Sequence, residues 1–388
     1  MQKIIVVHII TKMELGGAQQ NTLFTVSNLD PCKHETFLLT GEGGELIDEA
    51  KKFKNFFIIK NMVREIRPFK DIKAFFQIVK TLKNIKSQFS ESSSVIVHTH
   101  SSKAGILGRW AAKAVGVRVI IHSIHGFSFN DFQPFLKKYI YIILEKITAK
   151  ITLHFIAVSS SNIEEGIRYK IFKRDRITLI RSGIDISKFK NPETEKEETK
   201  NNLGIPLDSP VVLMVSCLKQ QKAPLDFVKA CFIIKKKINN VSFLLAGDGV
   251  LRHALENEIK KQGLEESFHL LGWRRDISNL INASDVLVLT SFWEGLPRVI
   301  PQAMAASVPV VVTRVNGSPE AVKEGKNGFL LTPGDIEGIA EKTVFLLEHP
   351  EKAKEMGQKG CFMVEEFDIH KMVSDQERLY AGLLSFAG

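Results

Sequence analysis

The chain has 388 residues, 44% hydrophobic and 25% charged, an ordinary globular balance whose length fits two cores better than one. Its four cysteines, Cys32, Cys217, Cys231 and Cys361, are scattered without a C-x-x-C pair, so the chain offers neither a disulfide framework nor a zinc-finger pattern, and a reducing compartment is expected. The formal charge of +10 is lopsided, with +13 in residues 1–183 and −3 in the remainder, so the first half is the one expected to meet an anionic surface.

The opening MQKIIVVHIITKMELGG has a short apolar stretch, interrupted by His8 and lacking a small-residue cleavage site. It reads as a buried first strand at 4–10, not a signal peptide. No window reaches the roughly 18 to 20 apolar residues of a spanning helix, so a cytoplasmic protein is expected. Further strands are expected at 35–40, 95–99, 118–123 and 153–159, separated by amphipathic stretches at 18–29, 70–85 and 104–115. That alternation is the pattern of a doubly wound α/β domain.

Two stretches of this half combine lysine with large apolar residues. Between residues 50 and 90, 11 basic residues face only Glu65 and Asp71, interleaved with Phe53, Phe56, Phe57, Phe69, Phe75 and Phe76. In 132–150, Phe135, Tyr139, Ile142, Ile143 and Ile147 approximate one helical face beside Lys137, Lys138, Lys146 and Lys150. Both suit anionic headgroups. The alternatives are a merely solvated, lysine-rich face for 50–90 and, for 132–150, an apolar face that packs on its own sheet and leaves only the lysines outside. Nucleic acid would also suit the charge, but no RNP-like sequence or zinc finger accompanies it, and none is expected as a partner.

Residues 182–209 are polar and punctuated by Gly and Pro. We assign 1–183 to a first domain, 184–209 to the connection and 210–368 to a second domain. Strands resume at 211–215, 242–246, 268–270, 286–290 and 308–313, and 369–386 closes the chain with helical apolar spacing.

Ligands of open parallel sheets sit at the carboxyl ends of strands, where turns meet helix N-termini. After the first strand, Gly16 and Gly17 open a helix; without side chains they let backbone N–H groups approach an anion, although a plain tight turn would look the same. In VSCLKQQKAPLDF, Lys219 and Lys222 occupy the turn before a helix beginning near Pro224, where they could neutralise a diphosphate or simply be surface lysines. The strongest segment is 291–313, SFWEGLPRVIPQAMAASVPVVVT. There a strand ends near Thr290, Glu294 lies in the turn, and Pro297 is expected in the first helical turn. Amides around Arg298 and Val299 would point at an anion, and Glu294 can accept hydrogen bonds from sugar hydroxyls. Gln302, eight residues beyond Glu294, would reach another part of the same ligand. His98 and His100, at i and i+2 on an extended segment, point the same way, but the sequence shows no third ligand and no Asp-x-Asp, so no metal is expected.

Taken together, the segments GGAQ (16–19), HTHSSKAG (98–105), HGFSF (125–129), AVS (157–159), SGID (182–185), LKQQK (218–222), AGDG (246–249), LGWRRD (271–276), EGLPR (294–298) and NGSPE (316–320) resemble the retaining glycosyltransferases of family 4. The resemblance runs nearly the whole length of the chain and is closest to enzymes of bacterial cell-envelope polysaccharide and lipopolysaccharide synthesis. It implies the GT-B fold, two doubly wound Rossmann-like α/β domains facing a central cleft, with 369–388 returning to the first domain. The nucleotide-sugar donor would be held mainly by the second. By position, Gly16 and Gly17 would face the donor diphosphate, His125 the donor sugar and acceptor, Lys222 the diphosphate and Glu294 the sugar hydroxyls. The turn Gly272, Trp273 and Arg274 would frame the base, and Gly295, Leu296, Arg298, Val299 and Gln302 would complete the donor site.

Two departures stand out: Gln302 replaces the glutamate that usually contacts the ribose, and Cys217 replaces an arginine five residues before the lysine. An amide can still bond a ribose hydroxyl, whereas a thiol does not replace a cation, so Lys219 or Arg298 is the expected substitute. The resemblance further implies retention by front-face attack, no cofactor and no metal, and a lipid-linked or polysaccharide acceptor met at the inner face of the membrane. A GT-B-shaped nucleotide-sugar epimerase and a non-enzymatic sugar-binding protein are the competing readings.

Overall fold

The computed structural model describes residues 3–90 and 92–387; the expected domain ends at Met1, Gln2 and Gly388 lie outside the described residues, as does Glu91. The chain divides into two compact units, one of Met1–Gly183 with Ile369–Gly388 and one of Ile184–Asp368.

The first unit is built on a seven-stranded sheet of β1 (Ile4–Ile10), β2 (His34–Thr40), β3 (Phe56–Ile58), β4 (Val95–His100), β5 (Val119–Ile124), β6 (His154–Ala157) and β7 (Ile177–Leu179), in the order β3-β2-β1-β4-β5-β6-β7. All its pairings are parallel. Helices cover both faces, which is why nearly every residue of β1, β2 and β5 is buried instead of every second one. On one face Ile5, Val7, Ile9 and Val97 pack against Ala74, Ile78 and Leu82 of the helix Pro68–Lys86 and against Ala104 and Ala111 of the helix Ser102–Ala114. On the other, Val6, Ile96 and Ile121 meet Ile369, Met372, Val373 and Tyr380 of the helix Ile369–Ala387. The SGID segment serves that last contact, because a Cβ on Gly183 would stand 2.5 Å from the Ile369 Cα.

The second unit carries a six-stranded sheet of β8 (Val211–Val215), β9 (Ser242–Ala246), β10 (Phe268–Gly272), β11 (Val286–Leu289), β12 (Val310–Thr313) and β13 (Gly328–Leu331), ordered β10-β9-β8-β11-β12-β13 and again all parallel. Both units are thus Rossmann-like, and each has one point where strand order reverses: β1/β4 in the first, β8/β11 in the second. That reversal leaves a crevice above the strand ends.

The structure departs from the sequence expectations in three ways. Strands β3, β7 and β13 were not anticipated; the first two have only three residues, too few for a period to show. Residues 184–209 are not a bare connection, since the helices Ile186–Lys190 and Lys196–Asn202 belong to the second unit and bury Ile186, Phe189, Thr199 and Lys200. The helix after β11 begins at Val299 with Arg298 as its cap, so Pro297 precedes it instead of occupying its first turn.

Candidate active site

In the second unit the loops after the two strands at the reversal point are laced together. After β8 the chain forms a 3-10 turn, Gln220–Lys222, then passes through Ala223 at φ 45° into the helix Pro224–Lys237. That left-handed residue is held because the Thr290 hydroxyl donates to the carbonyls of both Lys222 (3.0 Å) and Ala223 (2.9 Å). The Phe292 N–H donates to Gln221 O, and the Gln221 side chain returns a bond to Trp293 O, both 2.8 Å.

The bracing brings the Lys222 ammonium 2.5 Å from Glu294 Oε1, with the two side chains 17% and 7% exposed. Ser291 donates to the same oxygen at 2.7 Å, and Asn316 Oδ1 accepts the Glu294 N–H at 3.0 Å. Burial works to lower the Lys222 pKa, but attraction to Glu294, helped by Cys217, outweighs it and carries the pKa above the ordinary lysine value. Lys222 is therefore a permanent cation in a low-dielectric recess.

AGDG supports this loop. A Cβ on Gly247 would fall 1.9 Å from Ser216 O and one on Gly249 2.7 Å from Leu218 O, while Leu218 and Asp248 are joined through a 2.9 Å backbone bond. Only glycine lets the β9 loop lie so close beneath the lysine turn. Around these residues, Lys219 is half-buried at the head of the 3-10 turn, and Leu296 and Val299 are buried. Gly295 O accepts the Gly317 N–H at 3.0 Å. Arg298 is half-buried, and desolvation lowers its pKa to about 10. The Gln302 amide is half-buried and makes no hydrogen bond among the described residues. At the end of β10, Gly272 takes φ 65°; beyond it Trp273 is exposed, and Arg274 forms a two-pronged ion pair with Asp276 at 2.9 and 2.6 Å. The Arg274 guanidinium is thus already committed within its own turn. A cavity of about 470 Å³, lined by Lys196, Asp208, Asp285 and Lys354, lies at the opposite, amino ends of the strands.

In the first unit the matching position after β1 is the half-exposed turn Gly16–Gly17, which opens the helix Gly17–Asn28. Asn21, Thr22 and Thr25 of that helix line a small cavity together with members of a group of histidines. Parallel register sets His8 of β1 opposite His98 of β4, and His100 lies two residues further on the same face. His125 follows β5 directly.

His8 Nδ1 and His100 Nε2 are 3.0 Å apart, and His100 Nδ1 and His125 Nε2 3.3 Å. His98 is held at both ring nitrogens, by Tyr380 Oη at 2.6 Å and Ser123 Oγ at 2.8 Å. Burial, and next the neighbouring imidazoles, hold His98 and His100 well below the usual histidine pKa; burial, with His34 adding to it, takes His8 to about 3. The structure therefore corrects one expectation: His98 and His100 do have a third histidine beside them, with one ring nitrogen from each of the three within 4.8 Å of the others. A cavity of about 20 Å³, lined in part by Asn21, His100, Ser123 and His125, adjoins the group.

Within the second unit the structure gathers Lys219, Lys222, Glu294, Gly295, Leu296, Arg298, Val299 and Gln302 around one reversal point, and within the first it places Gly16, Gly17 and His125 around the other. Ser291, Asn316 and Asp248 lie in segments that the sequence singled out (291–313, NGSPE and AGDG) but were expected to have no role of their own, and His8 was noted only as an interruption of the first strand. A signal for His8 existed: it lies two residues from the end of its strand, as His98 does, so level strand ends bring the rings side by side.

Comparison with known proteins fits this architecture. Residues 15–188 match "Glycosyltransferase Family 4" and residues 195–361 match "Glycosyl transferases group 1". A curated Escherichia coli protein, UDP-Gal:alpha-D-GlcNAc-diphosphoundecaprenol alpha-1,3-galactosyltransferase, is 34% identical over 388 residues, covering 98% of each chain. A Campylobacter jejuni protein, N,N'-diacetylbacillosaminyl-diphospho-undecaprenol alpha-1,3-N-acetylgalactosaminyltransferase, is 27% identical over 81% of this chain and 82% of its own. The crystal structure of Anabaena HepE in complex with UDP and glucose superposes with a TM-score of 0.84 at 19% identity, over 98% of this chain and 100% of that one. The fold is GT-B. The chain belongs to the family-4 glycosyltransferases and is itself a glycosyltransferase.

Proposed function

We propose that this glycosyltransferase moves a hexose from a UDP-sugar to the sugar of a diphosphoundecaprenol-linked acceptor, with retention of configuration and without a metal. The observation that carries the reading is the buried Lys222–Glu294 pair at the second reversal point, in a chain alignable end to end with a galactosyltransferase of that acceptor class. Lys222 has three N–H donors and gives one to Glu294. The others serve the charge that builds on the departing diphosphate, the task a divalent ion performs elsewhere. Glu294, fixed by Ser291 and Asn316, presents its other carboxylate oxygen to donor-sugar hydroxyls, and Gln302 offers its uncommitted amide to the ribose. Lys219 and Arg298 make good the cation missing at Cys217. Gly16 and Gly17 give backbone donors to the phosphates, and His125 orients sugar and acceptor.

In the reaction the bond between the anomeric carbon and the diphosphate oxygen breaks, its electrons leaving with the nucleotide. The acceptor hydroxyl oxygen bonds the same face of the oxocarbenium-like centre, and its proton passes to the departing phosphate oxygen. No protein base is required.

A lipid-linked acceptor calls for a membrane-facing surface, and the helix Phe135–Ala149 supplies one. Ile142, Glu145, Thr148 and Ala149 turn inward, whereas Phe135, Leu136, Tyr139, Ile140, Ile143, Leu144 and Ile147 are exposed beside the exposed Lys137 and Lys150. Such a stripe with flanking lysines matches the interface of an anionic bilayer. The phenylalanines of residues 50–90 contribute less than expected: Phe53, Phe56, Phe57 and Phe75 pack on the core, and only Phe69 and Phe76 stand out. No helix among the described residues is long and apolar enough to cross a membrane, so attachment would be peripheral.

The test is to incubate the purified protein with UDP-, GDP- and ADP-sugars, a polyprenyl-diphosphate-linked N-acetylglucosamine acceptor and EDTA, then analyse products by mass spectrometry and anomeric NMR. The account expects one added α-linked hexose from a UDP donor. A free epimerised nucleotide sugar with no glycosylated acceptor would favour the epimerase, and a β-linked product would refute retention.

A further inference from the structure

The histidines of the first unit form a file, not a loose cluster. His8 Nδ1 meets His100 Nε2 at 3.0 Å, and His100 Nδ1 meets His125 Nε2 at 3.3 Å, with the ring planes of His8 and His100 within 10° of parallel. The first two rings are buried and neutral, so each has one N–H and one lone pair. Protons can then be placed in only two ways. If His100 donates from Nε2 to His8, the His8 proton must sit on Nε2, which is buried and has no hydrogen-bond partner. If His8 donates from Nδ1, the buried Nε2 atom holds only a lone pair. A buried donor without an acceptor is the worse of the two orphans. The second arrangement therefore prevails, and it fixes everything downstream: His100 carries its proton on Nδ1 and donates to His125 Nε2.

We infer that His8 and His100 are positioning residues that lock His125 in its Nδ1–H form, so that His125 acts on its ligand as a hydrogen-bond donor and never as a base through Nε2. The inference rests on His125 being a residue of the active site, as proposed above. It also gives a physical reason for a mechanism without a protein base. His98 stands outside the file, its ring tied to Tyr380 and Ser123, and walls one side of it: its centroid is 4.2 Å from that of His100.

The test reads the tautomers directly, by side-chain nitrogen NMR of the full chain labelled with 15N-histidine, assigned with single-histidine variants. In the wild type His8, His100 and His125 should all be neutral Nδ1–H imidazoles at pH 7. An Nε2–H signal for any of the three overturns the inference, and this arm needs no variant to fold normally. His100→Leu should return His125 to a mixture of tautomers dominated by Nε2–H and lower kcat roughly tenfold, leaving the KM for the nucleotide sugar within about twofold, because orientation and not binding is lost. His100→Asn, whose amide N–H replaces Nδ1–H, should restore most of both. An unchanged His125 spectrum in His100→Leu overturns the file. So would one equivalent of zinc in the purified protein that disappears in His8→Leu, because the three rings would then be metal ligands. Full activity in His125→Ala would instead refute the role given to His125, while the tautomer measurement would still stand or fall by itself.

Discussion

The two reversal points share a topology and differ in chemistry. At β8/β11 the centre is an ion pair and its braces: a lysine and a glutamate in contact, a serine on the carboxylate, an asparagine on the glutamate's backbone. At β1/β4 there is a glycine turn and a set of neutral imidazoles whose ionisation burial suppresses. On the reading proposed above, the fixed cation of the second unit meets the diphosphate in a dry recess, where it does most. The histidines of the first unit supply direction more than charge.

The sharpest way to break this comparison is acid. His8, His98, His100 and His122 have folded-state pKa values below the unfolded value near 6.5, so the unfolded chain binds more protons as pH falls. The stability they contribute is complete above pH 6.5 and is lost below it. At pH 5 each imidazole still neutral in the fold costs about 2 kcal/mol relative to pH 7. Four together would raise local unfolding of the first unit more than a thousandfold. In the second unit His269 is the one histidine with a lowered pKa, and it is only half-buried. Hydrogen exchange at pH 5 and pH 7.5, corrected for intrinsic rates, should show protection lost in β1, β4 and β5 and kept in β8 and β11; equal loss in both units would remove the contrast.

A smaller effect is expected at the membrane. Phe135→Ser with Ile143→Ser, or Lys137→Glu with Lys150→Glu, should each weaken cosedimentation with anionic vesicles by about tenfold, since each basic residue near such a surface is worth roughly 1 kcal/mol before screening. Wild-type binding should fall with salt and with removal of anionic lipid. Binding indifferent to lipid charge, salt and all four substitutions would refute this docking surface. The smallest change is expected for Gln302→Glu, which replaces one hydrogen-bond acceptor by another: kcat/KM should stay within about threefold. Loss of activity would mean that the ribose site depends on the amide donors.

The difference between the units also governs what the sequence revealed. Strands β8 and β9 were placed to the residue, and Lys222 and Glu294 were recognisable as candidates because the loops bearing them follow uninterrupted apolar strands, VVLMV and VLVL. Their contact is another matter: it depends on β8 and β11 being neighbours, a pairing between segments more than 70 residues apart. His8 was half hidden for the same reason: its place two residues from the strand end matches that of His98, but only the pairing of β1 with β4 sets the two side by side. The exposed stripe of Phe135–Ala149 was half legible. Helical spacing gave its residues, but Ile142 and Ile143 are adjacent, about 100° apart around the helix, and only packing decides that the first is buried and the second exposed.

In the reaction proposed above a buried lysine, not a metal ion, carries the leaving-group charge. Measuring kcat/KM of wild type and Lys222→Ala, each with EDTA and with added Mg²⁺ or Mn²⁺, tests it most directly. A fall on the order of 100-fold for Lys222→Ala, equivalent to about 3 kcal/mol, with wild-type turnover nearly unchanged by EDTA, is the predicted result. Wild-type rates in Lys222→Ala, or loss of wild-type activity in EDTA that Mg²⁺ or Mn²⁺ restores, would contradict it.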